Sequence, residues 1–533
     1  MPWPFRTALA SLLAAAALPL LLCAPARAAA PLPPGFFGVN LNRVLFDDPD
    51  PSHAAPLEAA KAAGITHGRI DLPWDAVQPG GPSSVDYKWT DQAIGSLAAR
   101  GIEPAPMLGY SARWAAAGRG NDKTPPSNIG DYAQFARLMV GRYGPGGSFW
   151  QKRPDLPYLP VRRWEVWNEP NLPRAFWQSG RDPGLYAHMY LATRTAIKAI
   201  DPAAKVIVGG LYSSDIAFTT DMYRLHPELR GNVDGLGIHP YAPTVRGVVS
   251  AVRGFRAALD AQGQTGVPME VTELGWQRQG HTELTLDEAQ RASSMAAVTD
   301  ILARSDCGID AVEPYTWETA ERNPDDGEDW YGMWSPSQGL LPTGQAYASA
   351  VARYADPTAR AAARSSQLLH ICHPPKLHVS VRPRGSQLGV QVRAAQPAHI
   401  SVRLAARSGP ARLAHRLGRT HGYSYFPLLR SIRRVTIRVT AHGFSTYRAA
   451  FSVVHRGRRF RLRLVKQPRA HRPQTSPGSP GPVPAPTPDQ QSPNPQPPHS
   501  DDPPCLTSTV PAVLGAPAGG LPLTSSCVTP VGA

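Results

Sequence analysis

Cysteine is scarce in this chain. There are 5 in 533 residues, and no Cys or His cluster has the spacing of metal ligands, which argues against a zinc-ribbon or similar metal centre. No metal and no cofactor are expected. Long apolar runs are also missing. After the first two dozen residues nothing reaches the roughly 20 apolar positions that a membrane-spanning helix needs. No glycine-rich phosphate loop follows the first predicted strand, which counts against a doubly wound dinucleotide-binding sheet. No nucleic-acid reader motif is present, so nucleic acid is not an expected partner. Acidic residues all but vanish from Asp356 onward: 4 remain, Asp356 included, against 24 Lys and Arg.

That last shortage divides the molecule. From Pro31 to Ala355 there are 29 basic and 36 acidic residues, a net charge of −7; from Asp356 onward the net charge is +20. The formal +15 of the whole chain therefore describes neither part. At the N-terminus, Arg6, the apolar stretch Ala8 to Leu22 and Ala26-Arg27-Ala28 form a positive region, an apolar region and a small-x-small cleavage site. This predicts a signal peptide over 1–28 and a secreted protein. Export permits disulfides. Cys307, Cys372, Cys505 and Cys527 then allow three pairings, of which 307–372 with 505–527 is the local one.

Between residues 35 and 355 a short apolar run, a loop and an amphipathic helix recur eight times. The strand candidates cover 37–41, 66–72, 103–109, 163–167, 205–209, 234–239, 269–272 and 310–315. They are continuous apolar runs rather than alternating ones, as expected of parallel strands covered on both faces. Pro104 and Pro106 weaken the third, since proline removes a ladder donor. Helices are expected over 91–100, 131–143 and 344–354, and after a capping box Thr285-Leu286-Asp287-Glu288. Eight strand–helix pairs predict a (β/α)8 TIM barrel with its site at the C-terminal strand ends. Residues 356–375 are expected as a linker. Residues 376–466 alternate apolar and polar at period two, predicting a small basic β-sandwich. Residues 467–533 begin with a tract dense in Pro, Ser and Gln, the composition of a disordered tail.

Two strand ends carry the chemistry. Trp164-Glu165-Val166-Trp167-Asn168-Glu169-Pro170-Asn171 closes the fourth candidate, and Met269-Glu270-Val271-Thr272-Glu273-Leu274-Gly275-Trp276 the seventh. Alone, a Glu before Pro is an ordinary loop residue and a Glu near Gly an ordinary helix end. Two of them in order, each just past a barrel strand, match the paired carboxylates that glycosidic cleavage requires. Trp-Asn-Glu-Pro after strand four and Thr-Glu-x-Gly-Trp after strand seven resemble clan A of the glycoside hydrolases, most nearly the β-xylosidase/α-iduronidase and cellulase-like families, over residues 35 to 355.

The resemblance implies Glu169 as general acid/base and Glu273 as nucleophile. It implies Arg69 beside the nucleophile, Tyr241 hydrogen-bonded to it, His239 on the same rim, Asn168 on the sugar 2-hydroxyl and Trp317 as a stacking face. Each has a plainer reading: Arg69 as a strand-end salt bridge, His239 as a structural rim residue, Trp317 as core filler. Trp114, Trp276, Trp330 and Trp334 are candidates for outer subsites or for burial. The expected function is a secreted retaining glycosidase acting on a carbohydrate. The alternatives are a non-catalytic carbohydrate-binding surface protein on the same barrel, or a transglycosylase. Residues 430–472 hold thirteen Lys and Arg and no acid, a surface suited to an anionic wall or extracellular polymer. The plainer reading of that stretch is a solvated β-domain in an arginine-rich protein.

Overall fold

A computed structural model of the chain describes residues 31–47, 53–393, 398–418, 423–441, 444–456 and 459–465. The expected signal peptide, the tail and Cys505 with Cys527 lie outside the described residues.

Eight parallel strands run in the order β1 to β8. They are β1 Val39–Asn40, β2 His67–Pro73, β3 Glu103–Gly109 and β4 Arg163–Val166. The second half comprises β5 Lys205–Tyr212, β6 Gly235–His239, β7 Met269–Val271 and β8 Ile309–Val312. The ring closes where Gly38 donates to the Val312 carbonyl at 3.0 Å and Val312 donates to Phe36 at 2.8 Å. A helix follows each strand: α1 Ala54–Ala62, α2 Lys88–Ala98, α3 Ile129–Tyr143, α4 Pro183–Lys198, α5 Ala217–Leu225, α6 Val245–Ala261, α7 Glu288–Ala303 and α8 Pro342–Ala355. This is a (β/α)8 barrel.

The two prolines of β3 are accommodated by its pairing. In a parallel strand, alternate residues bond to opposite neighbours. Glu103 donates towards β2, to Thr66, so the nitrogens of Pro104 and Pro106 face β4, which pairs with β3 only from Met107 onward. The missing donors have no acceptor to leave empty. The α7 cap differs from expectation: Asp287 and Gln290 form the capping box, because the Thr285 hydroxyl accepts from the Gln277 side chain at 2.8 Å.

The stretch expected as a linker belongs structurally to the barrel. Helix α9 (Pro357–Ala363) buries Ala363, and Arg364 donates to the Ile309 carbonyl at 2.8 Å. Leu369 donates to Arg304 at 2.7 Å, and a disulfide joins Cys307 to Cys372. Apolar side chains and a covalent tie hold this segment, which its small polar composition concealed.

From residue 376 the period of two produces antiparallel sheets. Strands β9 (His378–Arg384), β10 (Gln387–Arg393) and β13 (Tyr423–Pro427) make a three-stranded sheet. Strands β11 (Ala398–Ala406), β12 (Arg412–Gly418), β14 (Ile432–Thr440), β15 (Tyr447–Arg456) and β16 (Arg459–Leu464) make a five-stranded one in the order β12-β11-β14-β15-β16. Their alternate residues, among them Leu388, Val390, Phe426, Val435 and Ile437, form a second hydrophobic core separate from that of the barrel.

Candidate active site

The barrel interior is polar at both ends. At the N-terminal end, Arg163 forms ion pairs with Glu270 and Glu313, Lys205 reaches Glu270 at 2.6 Å, and His67 reaches Glu313 at 3.0 Å. Burial would raise Glu313, but the charge and hydrogen bonds of Arg163, with His67, hold it at about 2. Glu270 thus serves a buried structural network at the end of the barrel opposite to the rim.

At the C-terminal end, Arg69 from β2 organises the site. Its Nε donates to Glu165 at 2.7 Å, its Nη1 to Glu273 at 2.8 Å and its Nη2 to the Oδ1 of Asn168 at 2.8 Å. Glu165 is itself anchored by the Gly210 amide at 2.8 Å. Tyr241, just past β6, donates to the other Glu273 oxygen at 3.0 Å. His239, the last residue of β6, has Nδ1 at 2.7 Å from Glu169 and Nε2 at 3.0 Å from the Thr272 hydroxyl. Glycine at 210 makes room for this imidazole, since a Cβ there would lie 1.9 Å from Nε2.

The end of β4 is bent to present its side chains. Trp167 and Glu169 both have left-handed backbone, with φ of 67° and 46°, a conformation that costs on the order of 1–3 kcal/mol for a non-glycine residue. Compensating hydrogen bonds run from Trp167 to the Leu108 carbonyl (3.1 Å) and from Glu169 to the Gly210 carbonyl (3.0 Å). The Trp167 indole donates to Phe176 at 2.7 Å.

Glu169, His239 and Glu273 each bring one donor atom within 4.8 Å of the other two. Among the described residues these three could hold a cation. Here Arg69 already places a positive charge against Glu273, and Tyr241 occupies its second oxygen. Burial raises Glu169 well above the usual carboxylate range, and the charge of Glu273 adds to it. Burial raises Glu273 less, to about 7, because Arg69 and the Tyr241 hydroxyl pull it back. Two carboxyl groups in one low-dielectric site share a proton, and these partners bias it onto Glu169. Burial, reinforced by Arg69, keeps His239 neutral.

Six of the seven residues expected from sequence, Arg69, Asn168, Glu169, His239, Tyr241 and Glu273, are brought together. Trp317 is not available as an open stacking face. It is fully buried, and its indole donates to the Pro56 carbonyl at 2.8 Å. It packs within the barrel's hydrophobic core. Trp276 is likewise buried, with its indole on the Ala242 carbonyl at 2.9 Å. The aromatic lining comes instead from tyrosines: Tyr241 stacks near Tyr212 with centroids 5.9 Å apart, and Tyr331 contacts both Tyr241 and Tyr315 edge-on.

Glu328 was missed. It lies in a short 3-10 turn, Gly327–Trp330, and accepts from the Tyr315 hydroxyl at 3.0 Å. Burial raises its own carboxyl, and its charge contributes to raising Glu169 and Tyr241. The sequence Asp325-Asp326-Gly327-Glu328-Asp329 reads as a solvated acidic loop; only the fold turns Glu328 towards the tyrosines and buries Asp329 against Arg43.

Fold and site together define a (β/α)8 barrel with a paired-carboxylate centre at its C-terminal rim. The sequence matches no family model and no curated protein. Among solved structures the chain is similar to a monomeric β-xylosidase from Caulobacter crescentus CB15, with 18% identity, 71% of this chain and 84% of that chain covered, and a TM-score of 0.48. It is also similar to a family 39 glycoside hydrolase from Bacteroides cellulosilyticus WH2 (19%; 74% and 79%; 0.46). A third is an α-L-arabinofuranosidase from Thermotoga maritima (13%; 80% and 96%; 0.42).

Proposed function

We propose that this protein is a secreted retaining glycoside hydrolase, with Glu169 as acid/base and Glu273 as nucleophile. The observation that carries the reading is the pairing of two carboxyl groups, from β4 and β7, with oxygens within 4.8 Å and with unlike partners. Retaining enzymes hold their carboxylates roughly 5–5.5 Å apart, whereas inverting ones leave roughly 6.5–9.5 Å for a water. The ionised group has a guanidinium and a phenol; the protonated group has a neutral imidazole. Environments that push two titrations apart assign acid and base.

In the first step a Glu273 oxygen bonds to the anomeric carbon while the bond to the leaving oxygen breaks, and Glu169 gives its proton to that oxygen. In the second, the Glu169 carboxylate takes a proton from water as the water oxygen bonds to the anomeric carbon, and Glu273 leaves as a carboxylate. Arg69 and Tyr241 orient Glu273 and favour its charge. His239 fixes the Glu169 carboxyl. Because Arg69 occupies the Asn168 oxygen, the Asn168 amide NH2 is left to donate to the sugar 2-hydroxyl. Glu328 accepts a sugar hydroxyl beside the tyrosine lining. The N-terminal segment 1–28 directs export, and the basic β-domain holds the enzyme on an anionic polymer.

The test is chemical rescue. Glu169→Ala should slow cleavage of poorly leaving aglycones by about 10²–10⁴-fold and of nitrophenolates far less. Azide should restore turnover and give the glycosyl azide of retained configuration. A 2-fluoro glycoside should label Glu273. An azide product of inverted configuration, or a label on Glu270, sinks the assignment.

A further inference from the structure

The outer face of the sheet β9-β10-β13 carries side chains that the barrel chemistry does not use. Its register sets Arg382 opposite Gly389 and Gly389 opposite Tyr425, flanked by the rows Ser380–Gln391–Tyr423 and Arg384–Gln387–Pro427. Leu388, Val390 and Phe426 turn to the core. Alternation therefore puts Arg382, Arg384, Gln387, Gln391, Tyr423 and Tyr425 on one outward face.

Gly389 shapes that face. A Cβ there would meet the Tyr423 ring at 3.0 Å and the Tyr425 ring at 3.1 Å, so both rings lean over the middle strand, 25° apart in plane with centroids 6.1 Å apart. The Arg382 guanidinium is 3.8 Å from the Tyr423 centroid and that of Arg384 is 5.1 Å from Tyr425. Arg384 also donates to the Tyr425 hydroxyl at 2.7 Å. Neither arginine forms an ion pair with a carboxylate among the described residues.

Aromatic cover of a strand glycine stabilises sheets by itself, and that accounts for the rings. It does not account for two unneutralised guanidinium groups and two amides on the same face. Nor does it explain why no Asp or Glu occurs between Asp356 and Asp489.

We infer that this face is a binding site for a carboxylate-bearing polysaccharide, with Arg382 and Arg384 taking uronate groups, Tyr423 and Tyr425 lying against sugar rings and the two glutamines reaching hydroxyls. The planar guanidinium fork matches the two oxygens of a carboxylate. Three strands about 4.8 Å apart and three outward rows make a platform on the order of 10 by 14 Å, room for roughly two or three sugar units. This narrows the anionic-polymer reading of the β-domain given above and rests on it; the catalytic assignment is independent of it.

The experiment is retention of the full chain on immobilised polygalacturonate at 0.15 M salt, with uncharged dextran, dextran sulfate and single-stranded DNA in parallel. The Arg382→Gln/Arg384→Gln variant should bind polygalacturonate at least tenfold more weakly. Arg434→Gln/Arg438→Gln, which removes the same charge from exposed positions of β14, should change binding less than threefold. Unchanged melting and unchanged hydrolysis of a small aryl glycoside would confirm that both variants are folded. Three results would overturn the proposal: no retention of the wild type, equal loss in the two variants, or binding of dextran sulfate or DNA as tight as that of polygalacturonate. If the wild type binds polygalacturonate but cleaves no glycoside, the catalytic reading fails and this one stands.

Discussion

Arg69 shows how one side chain sets a pH profile. It contacts Glu165, Asn168 and Glu273, so it favours ionisation of Glu273 without touching Glu169 directly. Activity needs Glu273 ionised and Glu169 protonated. kcat/KM should therefore rise with pH as Glu273 loses its proton, at about 7, and fall at higher pH as Glu169 loses its own. The optimum then lies above the range of ordinary carboxylates. In Glu169→Ala, assayed on a nitrophenyl glycoside, the alkaline limb should disappear while the acid limb stays; an alkaline limb that persists would belong to another group. At this scale the motifs named both carboxylates, because Trp-Asn-Glu and Thr-Glu-x-Gly-Trp are local patterns. Glu328 and the burial of Trp317 were illegible, because each depends on what distant loops bring against it.

Elements decide where the catalytic unit ends. The charge change at Asp356 suggested a boundary there, yet α9, the Arg364–Ile309 hydrogen bond and the Cys307–Cys372 disulfide all lie beyond it. A cross-link across 65 residues contributes about 4 kcal/mol in the chain-entropy account. A chain ending at Asp356 should consequently melt well below the full-length protein or fail to fold. One ending at Pro375 should melt within a few degrees of it and keep its activity on small glycosides. Equal thermal stability of the two truncations would show that the segment only decorates the barrel. Strand positions were nearly all readable, since a buried parallel strand must be a continuous apolar run. The exception in principle was β3, where the tolerance for two prolines rests on which neighbour each nitrogen faces.

For the whole molecule, the buried ion network at the N-terminal end of the barrel governs acid stability. Glu313 is held at about 2, against an ordinary value of 4.5. A depressed carboxyl stabilises the folded state above its unfolded pKa, and that stability is lost as pH falls through the folded value. The window is thus about pH 4.5 down to 2, and the contribution is on the order of 3 kcal/mol. Glu313→Gln should lower stability at pH 7 by several kcal/mol, because Arg163 loses one buried partner. It should also flatten the pH dependence of unfolding below 4.5, as read from urea midpoints. An unaltered slope there would place acid sensitivity elsewhere.

The periodicities, the charge division and the two carboxylate motifs were legible along the chain, because each depends on neighbours a few residues apart. The alternation of eight apolar runs with eight amphipathic segments left little choice but a closed parallel barrel. Whatever needs separated segments to meet depended on the folded chain. It biased the shared proton towards Glu169 over Glu273, turned Glu328 inward, and buried Trp317 with its indole on the Pro56 carbonyl. It also laid Tyr423 and Tyr425 over Gly389 beside two arginines of another strand. Burial and through-space charge produce these effects, and neither is encoded in adjacency along the chain.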